Sequence, residues 1–93
     1  MKTFIVTGGN KGIGEAIVEN LAKNNSKATI VFTSRSLENG KKTLEAFEKK
    51  NLKNIFLEQL DITNEQSIKK FKENFKKNFH NLDVLINNAG YKR

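Results

Sequence analysis

Thr7-Gly8-Gly9-Asn10-Lys11-Gly12-Ile13-Gly14 follows the apolar run Phe4-Ile5-Val6 and precedes a stretch with helical periodicity. A glycine-rich turn there joins a buried strand to a helix N-terminus. Peptide N–H groups and the positive end of a helix dipole converge where no side chain blocks approach, which favours an anion such as a dinucleotide pyrophosphate. The spacing G-x3-G-x-G by itself also suits a plain turn or helix cap. What decides between the two is the rest of the chain, which repeats the strand-then-helix pattern.

Lys2 to Thr7 reads as a first strand buried on both faces, because its apolar residues are consecutive. From Gly12 the period changes: Ile13, Ala16, Ile17 and Leu21 recur at helical spacing opposite Glu15, Glu19 and Lys23, and Asn24-Asn25-Ser26 closes the helix. Ala28 to Thr33, rich in β-branched residues, predicts a second strand. Ser36 is a predicted N-cap for a second helix with Leu37, Leu44, Ala46 and Phe47 on its apolar side.

Asn54 to Leu60 predicts a third strand, and Thr63-Asn64-Glu65-Gln66 fits a capping box formed by Thr63 and Gln66. The helix it opens carries Ile68, Phe71, Phe75 and Phe79 on one stripe, which reads as core. Leu82 to Asn87 predicts the fourth strand. The order βαβαβαβ with short connections implies right-handed crossovers between parallel strands. This is an α/β chain, half of a doubly wound Rossmann fold: a parallel sheet of four strands in order 3-2-1-4 with three helices. Strand 4 would then have one edge without a partner, a template for association in an isolated domain.

Ninety-three residues leave room for one domain and none for a separate substrate domain. Without Cys there are no disulfides or thiolate sites, which suits a reducing, cytoplasmic setting. Neither a signal-peptide core nor a run near the ~18 apolar residues of a membrane span occurs, so a soluble chain without a membrane partner is expected. The net charge of +7 invites a nucleic-acid reading. Against it, the lysines are scattered over all three predicted helices and interleaved with Glu15, Glu19, Glu45, Glu48, Glu65 and Glu73, so no nucleic-acid partner is expected.

Candidate binding residues fall just after the predicted strands, where open α/β sheets bind ligands. A fold that prefers NAD places an acid about 20 residues beyond the glycine turn, to meet the adenosine ribose. Here Ser34-Arg35 occupies that place. A guanidinium pairs with a 2′-phosphate that a carboxylate would repel, so NADP(H) is the expected cofactor, with Lys11 as a second cation. Asp61, after Leu60, either meets the adenine amino group or serves the helix that follows, where the dipole alone favours an acid. Asn87 and Asn88 can knit neighbouring loops through their amides, with Ala89 and Gly90 letting the backbone pass close to a ribose. His80 reads as a surface helix-end residue, and adjacent Tyr91 and Lys92 are not held in one catalytic geometry. No metal site is expected.

In their order and spacing, the Thr7–Gly14 turn, Leu60-Asp61-Ile62-Thr63 and Leu82-Asp83-Val84-Leu85-Ile86-Asn87-Asn88-Ala89-Gly90 resemble the successive cofactor-binding motifs of the short-chain dehydrogenase/reductase family. The Gly-Gly-Asn-Lys-Gly turn and the Thr33-Ser34-Arg35 strand end are most similar to its NADPH-dependent carbonyl reductases. Asn39 departs from that subgroup, which often places a further arginine there. By resemblance, the cofactor-binding residues are Gly8, Asn10, Lys11, Gly12, Ile13, Gly14, Ser34, Arg35, Asp61, Ile62, Asn88, Ala89 and Gly90.

The resemblance also implies hydride transfer to a small carbonyl substrate, with a Tyr acid, a Lys four residues later and a Ser, all lying beyond the Asn-Asn-Ala-Gly motif. None is present, so residues 1–93 are expected to be the N-terminal cofactor-binding part of a single domain, an inactive fragment of an oxidoreductase. The alternative is a non-catalytic short dinucleotide-binding module.

Overall fold

The structure is a computed structural model that describes residues 2–9, 12–79 and 81–88. Its elements run β1 (Thr3–Val6), α1 (Gly12–Asn24), β2 (Thr29–Ser34), α2 (Leu37–Lys49), β3 (Ile55–Gln59), α3 (Glu65–Asn78) and β4 (Val84–Ile86). The four strands form one parallel sheet in the order β3-β2-β1-β4, as the alternation of strand and helix predicts. Each observed strand lies within a residue or two of its predicted span.

Because side chains alternate across a strand, the register sorts the core into two faces. Phe4 and Val6 of β1, Ile30 and Phe32 of β2 and Ile55 of β3 share one face with Val18 and Ala22 of α1 and Phe47 of α2. Phe32 and Phe47 meet edge to face at 5.7 Å, both without exposure to solvent. The other face carries the row Phe56, Val31, Ile5 and Leu85, which are in register across all four strands. Phe79, just past α3, packs on Phe56 at 5.7 Å, so α3 lies on this second face. Consecutive right-handed crossovers in opposite directions require that placement.

α1 presents a different stripe from the predicted one. Gly14, Val18 and Ala22 are buried, Ile17 and Leu21 are half-buried beside them, and Ile13 and Ala16 face outward. Small residues let the helix approach closely: a Cβ on Gly14 would overlap the Gly8 carbonyl and lie 3.0 Å from Gly9 Cα. Hydrophobicity alone ranked Ile13 above Gly14, whereas close approach of backbone to backbone favours the smaller side chain.

Ser36 caps α2, its hydroxyl accepting from Asn39 N at 3.2 Å, but of the expected apolar side only Phe47 is buried and Leu44 half-buried. Leu37 and Ala46 are exposed. The α3 cap is also displaced by one residue: Asn64 Oδ1 accepts from Ser67 N at 3.0 Å. Thr63 is engaged elsewhere, since its N–H and hydroxyl both donate to Asp61 Oδ1, so the cap passes to Asn64. The α3 phenylalanines do form a stripe, with Phe71, Phe75 and Phe79 in contact along it, yet no residue of α3 is fully buried. His80, Tyr91 and Lys92 lie outside the described residues.

Candidate functional site

The C-terminal ends of all four strands open on one side of the sheet, and every described candidate residue is found there. After β1 the chain turns through Gly8, whose φ is +67°, and α1 begins at Gly12, whose φ is +62°. Both are left-handed conformations that strain any side chain bearing a Cβ.

The turn is held from both sides. Gly8 N donates to Thr33 Oγ1 at 3.0 Å and Gly9 N donates to the Thr33 carbonyl at 3.1 Å, tying it to β2. On the β4 side, Asn88 N donates to Thr7 Oγ1 at 2.9 Å and Asn88 Nδ2 to the Gly8 carbonyl at 3.2 Å. Thr7 N donates to the Ile86 carbonyl at 3.0 Å.

The glycines therefore divide their work in a way their spacing did not reveal. Gly8 contributes a turn whose amide is already spent on Thr33, so it is a brace and not an open donor. Gly9 and Gly14 allow close packing: a Cβ on Gly9 would lie 2.7 Å from Phe32 Cβ and 2.8 Å from Val18 Cγ2, and one on Gly14 would lie 2.5 Å from Asn88 Nδ2. Gly12, unlike Gly9 and Gly14, looks onto free space, with nothing within 4 Å of the position its Cβ would take. An anion approaching the first turn of α1, where N–H groups lack intrahelical partners, would come in over Gly12. Ile13, next to it, is 76% exposed, a large apolar side chain at the mouth of the cradle. Asn10, Lys11, Ala89 and Gly90, the remaining residues of these two motifs, lie outside the described residues.

At the end of β2, Ser34 is buried and Arg35 is exposed. Ser34 Oγ donates to the Ser36 carbonyl at 2.8 Å, so this serine shapes the strand-to-helix turn. Arg35 lines a cavity of about 460 Å³ together with Gln59, Asp61, Gln66, Ser67 and Lys70. The hydroxyl and N–H of Thr63 hold the Asp61 carboxyl below its ordinary value, and the Arg35 charge pulls it the same way. Asp61 N donates to Ser67 Oγ at 2.8 Å. Asp61 thus shapes the start of α3, the second of its two predicted roles, and lines the same cavity as Arg35. Ile62, the next candidate, is half-buried in the same loop. On β3, burial raises the Glu58 carboxyl, opposed by a hydrogen bond with Asn78 at the end of α3.

Three contributors were missed in the sequence: Thr33, which braces Gly8; Gly9, pressed between Phe32 and Val18; and Gln59, whose amide donates to the Arg35 carbonyl at 3.1 Å. Each acts through a contact made only once the strands are paired. Among the described residues no group of three or more His, Cys, Asp or Glu side chains could hold a metal ion, and no helix is long and apolar enough to cross a membrane.

Residues 2–93 match the short chain dehydrogenase family. The chain belongs to that family. It is 42% identical over 86 residues to Carbonyl reductase (NADPH) 1 of Homo sapiens, covering 92% of this chain and 30% of the relative. With Dehydrogenase/reductase SDR family member 12 of Bos taurus the identity is 43% over 89 residues, covering 96% of this chain and 27% of the relative. The solved structure of salutaridine reductase from Papaver somniferum superimposes with a TM-score of 0.88 at 35% identity, over 97% of this chain and 30% of that one. The chain thus spans under a third of the length of each of these three relatives.

Proposed function

We propose that this chain binds NADP(H) and forms the cofactor-holding part of a carbonyl reductase-like oxidoreductase. The observation that carries the reading is the exposed guanidinium of Arg35, set at the end of β2 beside a glycine turn that leaves the start of α1 open over Gly12. A pyrophosphate fits the N–H groups of the first α1 turn, and a 2′-phosphate fits Arg35, as charge-assisted bonds to a planar guanidinium favour. Lys11 would add a second cation. Asp61 and Ile62 would border the adenine, and Asn88, Ala89 and Gly90 a ribose. When bound, the nicotinamide supplies a hydride to a small carbonyl compound.

The residues present hold and orient that cofactor. The sequence contains one Tyr, Tyr91, with Lys92 directly beside it, and adjacent residues are not held in the single geometry that a phenol and amine pair needs for proton transfer. The chain is then expected to bind cofactor without turning over substrate, in the cytoplasm, with neither nucleic acid nor membrane as partner.

Equilibrium titration of the chain with NADPH and NADH, before and after Arg35→Asp, tests this. NADPH should bind more tightly than NADH, and the substitution should cost about 1 to 3 kcal/mol of NADPH affinity. Equal affinities in the unaltered chain would defeat the assignment.

A further inference from the structure

Arg35 is a strand-end residue on an exposed loop, and a guanidinium can discriminate a phosphate only if its backbone is held in place. Three consecutive carbonyls at this point accept hydrogen bonds. That of Ser34 accepts from Leu60 N at 3.0 Å, and that of Ser36 accepts from Gly40 N at 2.9 Å and from Ser34 Oγ at 2.8 Å. The middle one, of Arg35 itself, accepts from Gln59 Nε2 at 3.1 Å. The outer two carbonyls are held by sheet pairing, and by the first turn of α2 together with the Ser34 hydroxyl. The middle bond comes from a side chain that reaches across from β3.

Gln59 is the last residue of β3, in register with Ser34, and is exposed. Its amide is spent neither on the core nor on a helix cap. It lines the same 460 Å³ cavity as Arg35 and Asp61. A neutral amide there can donate to the carbonyl without adding a negative charge beside the guanidinium, which Glu at the same place would do.

We propose that Gln59 is a positioning residue for 2′-phosphate recognition, fixing the Arg35 backbone so that its guanidinium is presented to the phosphate. The inference rests on the NADP(H) reading above. Gln59 touches no phosphate in this scheme and acts through Arg35 alone.

A double-mutant cycle on the full chain tests it, with Gln59→Met, Arg35→Ala and the pair, each titrated calorimetrically with adenosine 2′,5′-bisphosphate and with adenosine 5′-monophosphate. Met keeps the length and removes the donor. The preference for the bisphosphate should fall about three- to tenfold in Gln59→Met, with 5′-monophosphate affinity unchanged, and Gln59→Met should have no further effect once Arg35 is Ala. An equal loss for both nucleotides, or an undiminished effect in the Arg35→Ala background, would show a merely structural role and overturn the proposal. So would an unchanged preference in Gln59→Met while the unaltered chain still favours the bisphosphate, and in that case the NADP(H) reading survives. If the unaltered chain binds both nucleotides equally, that reading falls and the role of Gln59 with it.

Discussion

The two faces of the sheet are covered very differently. On one, α1 and α2 press Val18, Ala22 and Phe47 onto Phe4, Val6, Ile30 and Phe32, and five of these seven side chains have no exposure at all. On the other, α3 lies alone, none of its residues is fully buried, and Phe56 and Leu85 at the two ends of the sheet row keep 45% and 51% of their surface open. The first face sets the stability of this chain, because buried apolar area and the contacts of a filled interior are what offset the entropy of folding. The second face lends less, since of its sheet row only Ile5 and Val31 are buried. The candidate site is braced by both, since Gly9 rests on Phe32 and Val18 while the Asp61 and α3 loop rises from the other side.

The sharpest way to break this contrast is Phe32→Ala. Emptying a fully buried aromatic site costs about 3 to 5 kcal/mol, comparable to the whole stability of a domain this small, so chemical denaturation should show no cooperative transition. Phe75→Ala, on half-buried α3, should cost about 1 to 2 kcal/mol and leave a measurable transition. Equal effects from the two would mean that both faces are equally packed. Leu85→Ser should change stability by no more than about 0.5 kcal/mol, since half the side chain is already in water.

The smallest effect is electrostatic and belongs to the covered face. Glu19 of α1 pairs with Lys23 at 2.8 Å and with Lys50, beyond α2, at 2.7 Å. These lysines hold its carboxyl at about 2, down from 4.5. A carboxyl lowered in the folded state stabilises it above the unfolded value, and that contribution disappears as pH falls from 4.5 towards 2. In acid titrations followed by circular dichroism, Glu19→Gln should flatten the loss of stability in that window slightly, because an exposed pair is largely screened. An unchanged slope would show that the pair contributes nothing.

Strand order, and the end of the sheet at which the candidate residues gather, were legible because consecutive apolar runs such as Phe4-Ile5-Val6, alternating with helical periods, leave few ways to build a sheet. Val18 and Ala22 were not legible as the buried stripe, since small residues win by closeness and not by hydrophobicity. Nor was the Asn64 cap, where Asp61 takes Thr63 first and a competition between neighbours decides. The brace from Thr33 to Gly8 joins residues 25 positions apart, and only the pairing of β1 with β2 brings them together.

Whether the glycine cradle and Arg35 receive one dinucleotide can be read residue by residue from amide chemical shifts of the isotopically labelled chain during titration with NADP(H). The largest changes are expected at Gly12, Ile13, Gly14 and Arg35, with smaller ones at Asp61 and Asn88. Saturating cofactor that leaves those amides unmoved, or that shifts Asn25, Lys53 and Asn54 at the opposite end of the strands instead, would contradict the assignment.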